Sequence, residues 1–198
     1  MTSYPELPIV DGKPNFVSYE QSVHDLLNVT DECNARAVFA IMIAEAAKGK
    51  DSFKSAGGNN YSGVQTDAGR WGYSKPIIGR FSKIDSGGKN REFAAFKNSA
   101  GFFDFMANRI KAKGFNGCNA DQWTNNYIQK WWSPTKKNQY GAGSTKYNEK
   151  KAIYQSAMRT FDKYKNTNTN TNKGISKSSL LFLIISGIAI AALLNIKK

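Results

Sequence analysis

The sequence predicts an α+β fold, mainly helical with a small antiparallel sheet, followed by a C-terminal transmembrane helix. Three observations carry that prediction. An apolar helix opens at a cap, Thr30 or Asp31, and ends on a single carboxylate, Glu45. Between Tyr61 and Phe96 the hydrophobic period changes from helical to extended. Past residue 165 a polar tract leads into nineteen residues, Ser178 to Ile196, without a charge.

The elements follow in chain order. Residues 1–15, held by Pro5, Pro8 and Pro14, read as an extended arm. No basic segment followed by an apolar run is present there, so the arm is not read as a signal peptide. Ser18-Tyr19-Glu20-Gln21 is a capping-box start for a short helix with Val23, Leu26 and Leu27 on one face. In the next helix Val38, Phe39, Ile41, Met42 and Ile43 make the middle apolar nearly all round, the mark of a helix buried on most faces. Tyr61–Thr66, Trp71–Tyr73, Ile77–Ile84 and Arg91–Phe96 are short extended runs separated by glycine-rich turns, enough for three or four strands. Ser99 to Lys113 is amphipathic, with Phe102, Phe105, Met106 and Ile110 on one face and Gly114 as its stop. A shorter helix begins at Asn119, and a last one carries Ile153, Ala157, Phe161 and Tyr164 as a stripe. The domain is therefore expected over residues 16–165.

Residues 166–177, with NTNTNTN at their start, read as a flexible linker. At 1.5 Å per residue the segment 178–196 would extend about 28 Å, roughly the hydrocarbon thickness of a bilayer. A single-pass C-terminal membrane anchor is the expectation.

Composition narrows the function classes. Twenty-eight Lys and Arg stand against fifteen Asp and Glu, a net charge of +13. Four of those lysines (Lys173, Lys177, Lys197 and Lys198) lie past residue 165, which leaves +9 on the preceding part. Such a field favours polyanions: nucleic acid, anionic lipid or the acidic polymers of a bacterial envelope. His24 is the only histidine, which excludes a histidine triad and a His-rich metal site. No cofactor and no metal are expected. Cys33 and Cys118 are too few for a disulfide framework; two buried thiols are the first reading and one disulfide the alternative.

Glu45 is the candidate for chemistry. No basic residue follows it until Lys48, and a carboxylate half-buried against apolar walls has its charged form disfavoured. A raised pKa is what a general acid working near neutral pH needs. The plainer alternative is a first exposed residue after a buried helix. Asp67 and Asp85 are candidates for a second carboxylate, and both stand in glycine-flanked turns where aspartate is common for local reasons. Trp71, Tyr61, Trp131, Trp132 and Tyr140 lie beside Gly, Pro or Asn in loops, where aromatic faces are available to stack on sugar rings.

The run Asn59-Asn60-Tyr61-Ser62-Gly63-Val64, fourteen residues after Glu45, resembles a motif of the glucosaminidase branch of lysozyme-like peptidoglycan hydrolases. There a glutamate ends a long helix, and an Asn–Asn–aromatic–x–Gly–Ile/Val strand floors the cleft. Phe93-Ala94-Ala95-Phe96-Lys97-Asn98-Ser99 and the segment from Tyr140 through Tyr147 resemble further parts of that family. The usual Glu-Ser-Gly-Trp signature is absent, since Ala46, Ala47 and Lys48 follow Glu45. A rival alignment puts Gly49 at the catalytic position and leaves the chain without activity.

The resemblance implies a lysozyme-like fold and cleavage of the β-1,4 glycan strand of peptidoglycan, with Glu45 as general acid. It implies substrate contacts from Asn60, Tyr61, Gln65, Trp71, Phe96 and Tyr140. With one carboxylate the reaction would be a lytic transglycosylase's or a substrate-assisted cleavage; with Asp67 or Asp85 in reach, a simple hydrolase's. Expected partners are peptidoglycan, a lipid bilayer through the C-terminal helix, and other proteins of a virus particle; nucleic acid is not expected. The setting follows from topology. An anchor at the very C-terminus leaves the domain on the cytoplasmic face, where wall cleavage is useless, unless the membrane belongs to a bacteriophage particle. Two alternatives stay open: an inactive membrane-tethered glycan-binding module, and a basic membrane protein that holds nucleic acid in a virion.

Overall fold

The computed structural model describes residues 7–66, 76–84, 88–132 and 140–167. Its centre is α2 (Glu32–Glu45), in which nine of fourteen residues are buried. The helix starts where Asp31 accepts a hydrogen bond from the Asn34 amide at 2.9 Å, satisfying one of the free amides of the first turn. Around it pack α1 (Tyr19–Val29), α3 (Ser99–Ala112) and α5 (Thr145–Lys165), while α4 (Ala120–Tyr127) lies against α5. Ser18, Asn98, Asn119 and Ser144 cap these helices in the same way. After Tyr127 the chain continues through a π-helical turn, Ile128–Trp132.

The β structure is divided in two. β1 (Phe16–Ser18), β2 (Ala47–Gly49) and β3 (Ser52–Lys54) form a three-stranded antiparallel sheet in the order β1-β3-β2. β4 (Ile77–Ile84) and β5 (Asn90–Phe96) form a separate antiparallel pair. The first sheet uses strands of three residues, too short for a period of two to register in the sequence. Tyr61–Thr66, expected as a strand, is a loop that touches β5 through a single bridge, Gln65 to Phe93. Trp71–Tyr73 lies outside the described residues. The arm is pinned rather than free: Ile9 bridges Arg80, and Pro8 and Val10 exchange backbone hydrogen bonds with the same residue.

The membrane-spanning part of the expected architecture requires correction. Among the described residues no helix is long and apolar enough to cross a membrane. Helix α2 is apolar but fourteen residues long, about 21 Å against a hydrocarbon core of about 30 Å. Helix α5 has the length, at twenty-one residues, but carries charges along it. The segment 178–196 lies outside the described residues, as does the linker beyond Thr167.

The cysteines also differ from their first reading. Cys33, in the first turn of α2, and Cys118, just before α4, form a disulfide with Cα atoms 4.9 Å apart. The chain can approach that closely because residue 117 is glycine. A Cβ there would stand 2.2 Å from the Ala37 amide nitrogen and 2.3 Å from the Cys33 carbonyl oxygen. The Gly117 amide instead donates to that carbonyl at 3.0 Å.

One main core results, with a small separate cluster of Phe81, Phe93 and Ala95 at the β4–β5 pair. Phe39 makes edge contacts with Tyr19, Phe53 and Phe161, joining α1, β3 and α5 to α2. Trp123 stacks on Tyr127 at 4.9 Å, and its indole N–H donates to the Ala37 carbonyl at 3.2 Å. Arg36 pairs with Glu32 and with Asp162, and Lys165 also reaches Glu32, so the front half of α2 is tied to α5.

Candidate active site

Glu45 is the last residue of α2, and Ala46 turns the chain straight into β2. The position follows from the sequence: the buried apolar run ends at Ile43, so the side chain two residues further on leaves the core. Its carboxylate accepts a hydrogen bond from the hydroxyl of Tyr127, at the end of α4. The residue keeps an open side to solvent, yet protein packed around the carboxylate raises its pKa above the ordinary value. Burial is the largest cause; the Tyr127 hydrogen bond and the charge of Lys150 act against it. The end of α2 adds to the effect, because helix carbonyls point their negative ends there and no basic residue lies in the last turn.

Tyr127 is fixed as a donor. Burial, followed by the neighbouring Glu45 charge, drives its phenol far above its usual range. Lys150 on α5 completes the group, with its ammonium 5.6 Å from the Tyr127 ring centre and 4.1 Å from that of Trp132. The unpaired carboxylate expected from the sequence is thus a partnered one.

Two depressions meet at Glu45 and Gly63. The first, about 300 Å³, is walled by Pro14, Lys54, Ser55, Tyr61 and Lys83. The second, about 290 Å³, is walled by Val64, Gln65, Arg109, Lys130, Trp131 and Trp132. Each is near the lower end of small-ligand sites. Together they place one protonatable carboxylate between two recesses, with lysine or arginine in each. Among the described residues Glu45 is the only acid lining either one.

The other residues singled out in the sequence fall in different places. Gln65 lines the second depression and accepts a hydrogen bond from Arg91 at 3.3 Å. Tyr140 is half-buried with its ring 5.5 Å from that of Trp132, so it backs the aromatic wall. Asn60 borders the first depression but is fully buried, and its amide is spent within the protein. It donates to the carbonyls of Val64 and Ala94 and accepts from the Val64 amide, all at 2.9 Å. Tyr61 is 1 % exposed and packs on Phe102 and Phe103; burial pushes its phenol up to about 12. Phe96 is a core residue between Phe102 and Phe105, away from both depressions. Asp67, Asp85 and Trp71 lie outside the described residues. Glu92, another acid beside the sheet turns, is engaged by Arg80.

Sequence reasoning missed Tyr127 as the partner of Glu45, and it missed Lys150 and Arg109. For Arg109 a signal existed: it falls four residues after Phe105 and seven after Phe102, on the buried stripe of α3. Among the described residues no group of three or more His, Cys, Asp or Glu is placed to hold a metal ion. Comparisons with known proteins find no match to the chain among family models, curated proteins or solved structures.

Proposed function

We propose that the chain is a peptidoglycan-degrading glycosidase of the lysozyme-like kind, cleaving the β-1,4 glycan strand with Glu45 as general acid. The observation that supports the reading best is the placement of Glu45. A carboxylate with a raised pKa lies where two recesses meet, so a strand laid across both would bring a glycosidic oxygen to it. Protonated Glu45 donates to that oxygen while positive charge develops on the sugar that keeps the anomeric carbon. The carboxylate left behind is then stabilised by the Tyr127 hydroxyl, which already points at it. In its ionised form Glu45 can take a proton from a water, which gives hydrolysis. It can instead take one from a hydroxyl of the same sugar, which gives an anhydro product.

The test uses purified full-length chain and bacterial sacculi. Soluble glycan fragments should appear, and their masses distinguish hydrated from anhydro ends. Glu45→Gln keeps shape and hydrogen bonding but has no proton to give, so release should fall at least about 100-fold. Retention of lysis by that variant overturns the assignment. Sacculus binding without release by the wild type points instead to a glycan-binding module.

A further inference from the structure

We propose that Arg109 is a carboxylate receptor in the second depression, beside the general acid, and that it makes the site selective for an acidic glycan over a neutral one. The proposal rests on the glycan-cleaving reading and goes beyond it by naming what the neighbouring recess recognises. Arg109 projects from the buried stripe of α3 into the wall shared with Glu45, Gln65 and Trp131. Its Nη1 is buried without a hydrogen-bond acceptor. Among the described residues it also has no carboxylate within ion-pair distance. Arg36 and Arg80, which are also partly buried, behave otherwise: the first has Glu32 and Asp162, the second Glu92.

A guanidinium withdrawn from water without an anion is unfavourable, and proteins ordinarily supply one. Here the ring of Trp131, 5.1 Å from the guanidinium carbon, and that of Phe105, at 5.8 Å, hold the group in place. Neither ring supplies an acceptor. Lys130 lines the same recess, with its ammonium on the Lys113 carbonyl at 2.7 Å. Glu45, hydrogen-bonded by Tyr127, is the one acid among the described residues of that wall, so Arg109 and Lys130 leave the cluster net cationic, and the strain is visible nearby. Lys113 has its pKa lowered by burial and by the charges of Arg109 and Lys130. A planar fork of donors, held over an aromatic ring in the wall of a recess, matches a carboxylate in two-point contact.

In a wall glycan carboxylates are chemically available from two sources. One belongs to the lactyl ether of the acidic amino sugar and is free once the peptide has been removed. The others are borne by the attached peptide. The experiment measures initial cleavage rates of the full-length chain on soluble strands stripped of peptide, on strands with peptide, and on both after amidation of their carboxyls. The wild type should prefer at least one acidic strand over its amidated form by about tenfold or more, the size of a charge-assisted hydrogen bond. Which acidic strand shows the preference identifies the source of the carboxylate. Arg109→Gln should bring that ratio close to one, and Arg109→Lys, which keeps the charge but not the fork, should retain part of it. A wild-type ratio near one, or a ratio that Arg109→Gln leaves unchanged, overturns the proposal.

Binding of the same four strands by calorimetry keeps the two readings separable. If the wild type cleaves none of them, the enzymatic reading fails, while carboxylate-dependent binding that Arg109→Gln removes still supports the receptor. Binding indifferent to amidation overturns it. Should Arg109→Gln not fold, Arg109→Lys and the wild-type ratio decide alone.

Discussion

Replacing Cys33 and Cys118 together by serine, or reducing the bond between them, should remove a large share of the stability of this protein. The bridge spans a sequence separation of 85 residues. In the chain-entropy account a loop of that length restricts the unfolded ensemble by roughly 15 cal/mol/K, or about 4.6 kcal/mol at 25 °C. Whole domains of this size are stable by only about 5–15 kcal/mol. Native geometry at the site does not depend on the bond alone. Gly117 still donates to the Cys33 carbonyl, and the Tyr154 hydroxyl donates to the Gly117 carbonyl at 2.6 Å. The cost should therefore act mainly through the unfolded state and leave the helical signal at zero denaturant unchanged. Urea titration of oxidised, reduced and double-serine protein measures it. With a slope of about 2 kcal/mol/M, the midpoint should drop by about 2 M, and the reduced and serine forms should agree. A loss below about 1 kcal/mol in both would refute the argument that this bridge closes a long loop around an otherwise independent core.

Tyr127→Phe keeps the stack on Trp123 but removes the hydrogen bond that favours ionised Glu45. The acid should then hold its proton to higher pH, and the alkaline limb of the lysis profile should move up; a limb that stays or moves down counts against the pair. Glu45→Gln should change stability in a pH-dependent way. The folded-state pKa of Glu45 is raised, so its contribution is full below the unfolded value near 4.5 and is lost as pH rises through the folded value. Melting temperatures of variant and wild type should agree near pH 4, and the variant should be the more stable at pH 7. Asn60→Ala leaves the Val64 amide and the Val64 and Ala94 carbonyls without their buried partner. It should cost about 2–4 kcal/mol in thermal or urea unfolding, where a surface asparagine would cost almost nothing.

The helical frame was legible because its signals are local. Helix starts at Ser18, Asp31 and Asn119, the glycine stop at Gly114 and the all-round apolar run of α2 are each readable within a few residues. The first sheet was not legible, since β2 and β3 are three-residue strands joined by a tight turn in which Asp51 adopts positive φ. Residues 61–66 looked extended by composition. The Asn60 side chain engages both polar backbone groups of Val64, and the loop meets β5 at its end, where the Ala94 amide donates to the Val64 carbonyl and the Thr66 amide to the Glu92 carbonyl. Glu45 could be picked out because the end of a buried helix is a sequence property. Its partner Tyr127 is 82 residues away, and nothing in the pattern of α4 separates a core tyrosine from one whose hydroxyl emerges at another helix's end. The disulfide stood only as the alternative to two buried thiols for the same reason: spacing alone does not say that Gly117 lets two segments touch.

These long-range contacts explain how a single carboxylate is held for use. The front half of α2 is anchored by the disulfide at Cys33, by Asn34 donating to the Ala107 carbonyl, by Arg36 on Asp162, and by Trp123 on the Ala37 carbonyl. Glu45 lies twelve residues beyond Cys33, about 18 Å along the helix, where the described residues give its carboxylate one hydrogen bond. Placement thus comes from a stiff rod clamped at its far end, and chemistry from the lightly held tip. A tip bound by several donors would be locked in its ionised form; one bound by none would lose its direction. Burial raises the pKa of Glu45, while Tyr127 and Lys150 hold that rise in check. The proton can then be given up and the resulting charge tolerated. Both states are needed in one turnover, and that balance is what makes Glu45, rather than any other acid in the described chain, the residue on which the proposed reaction turns.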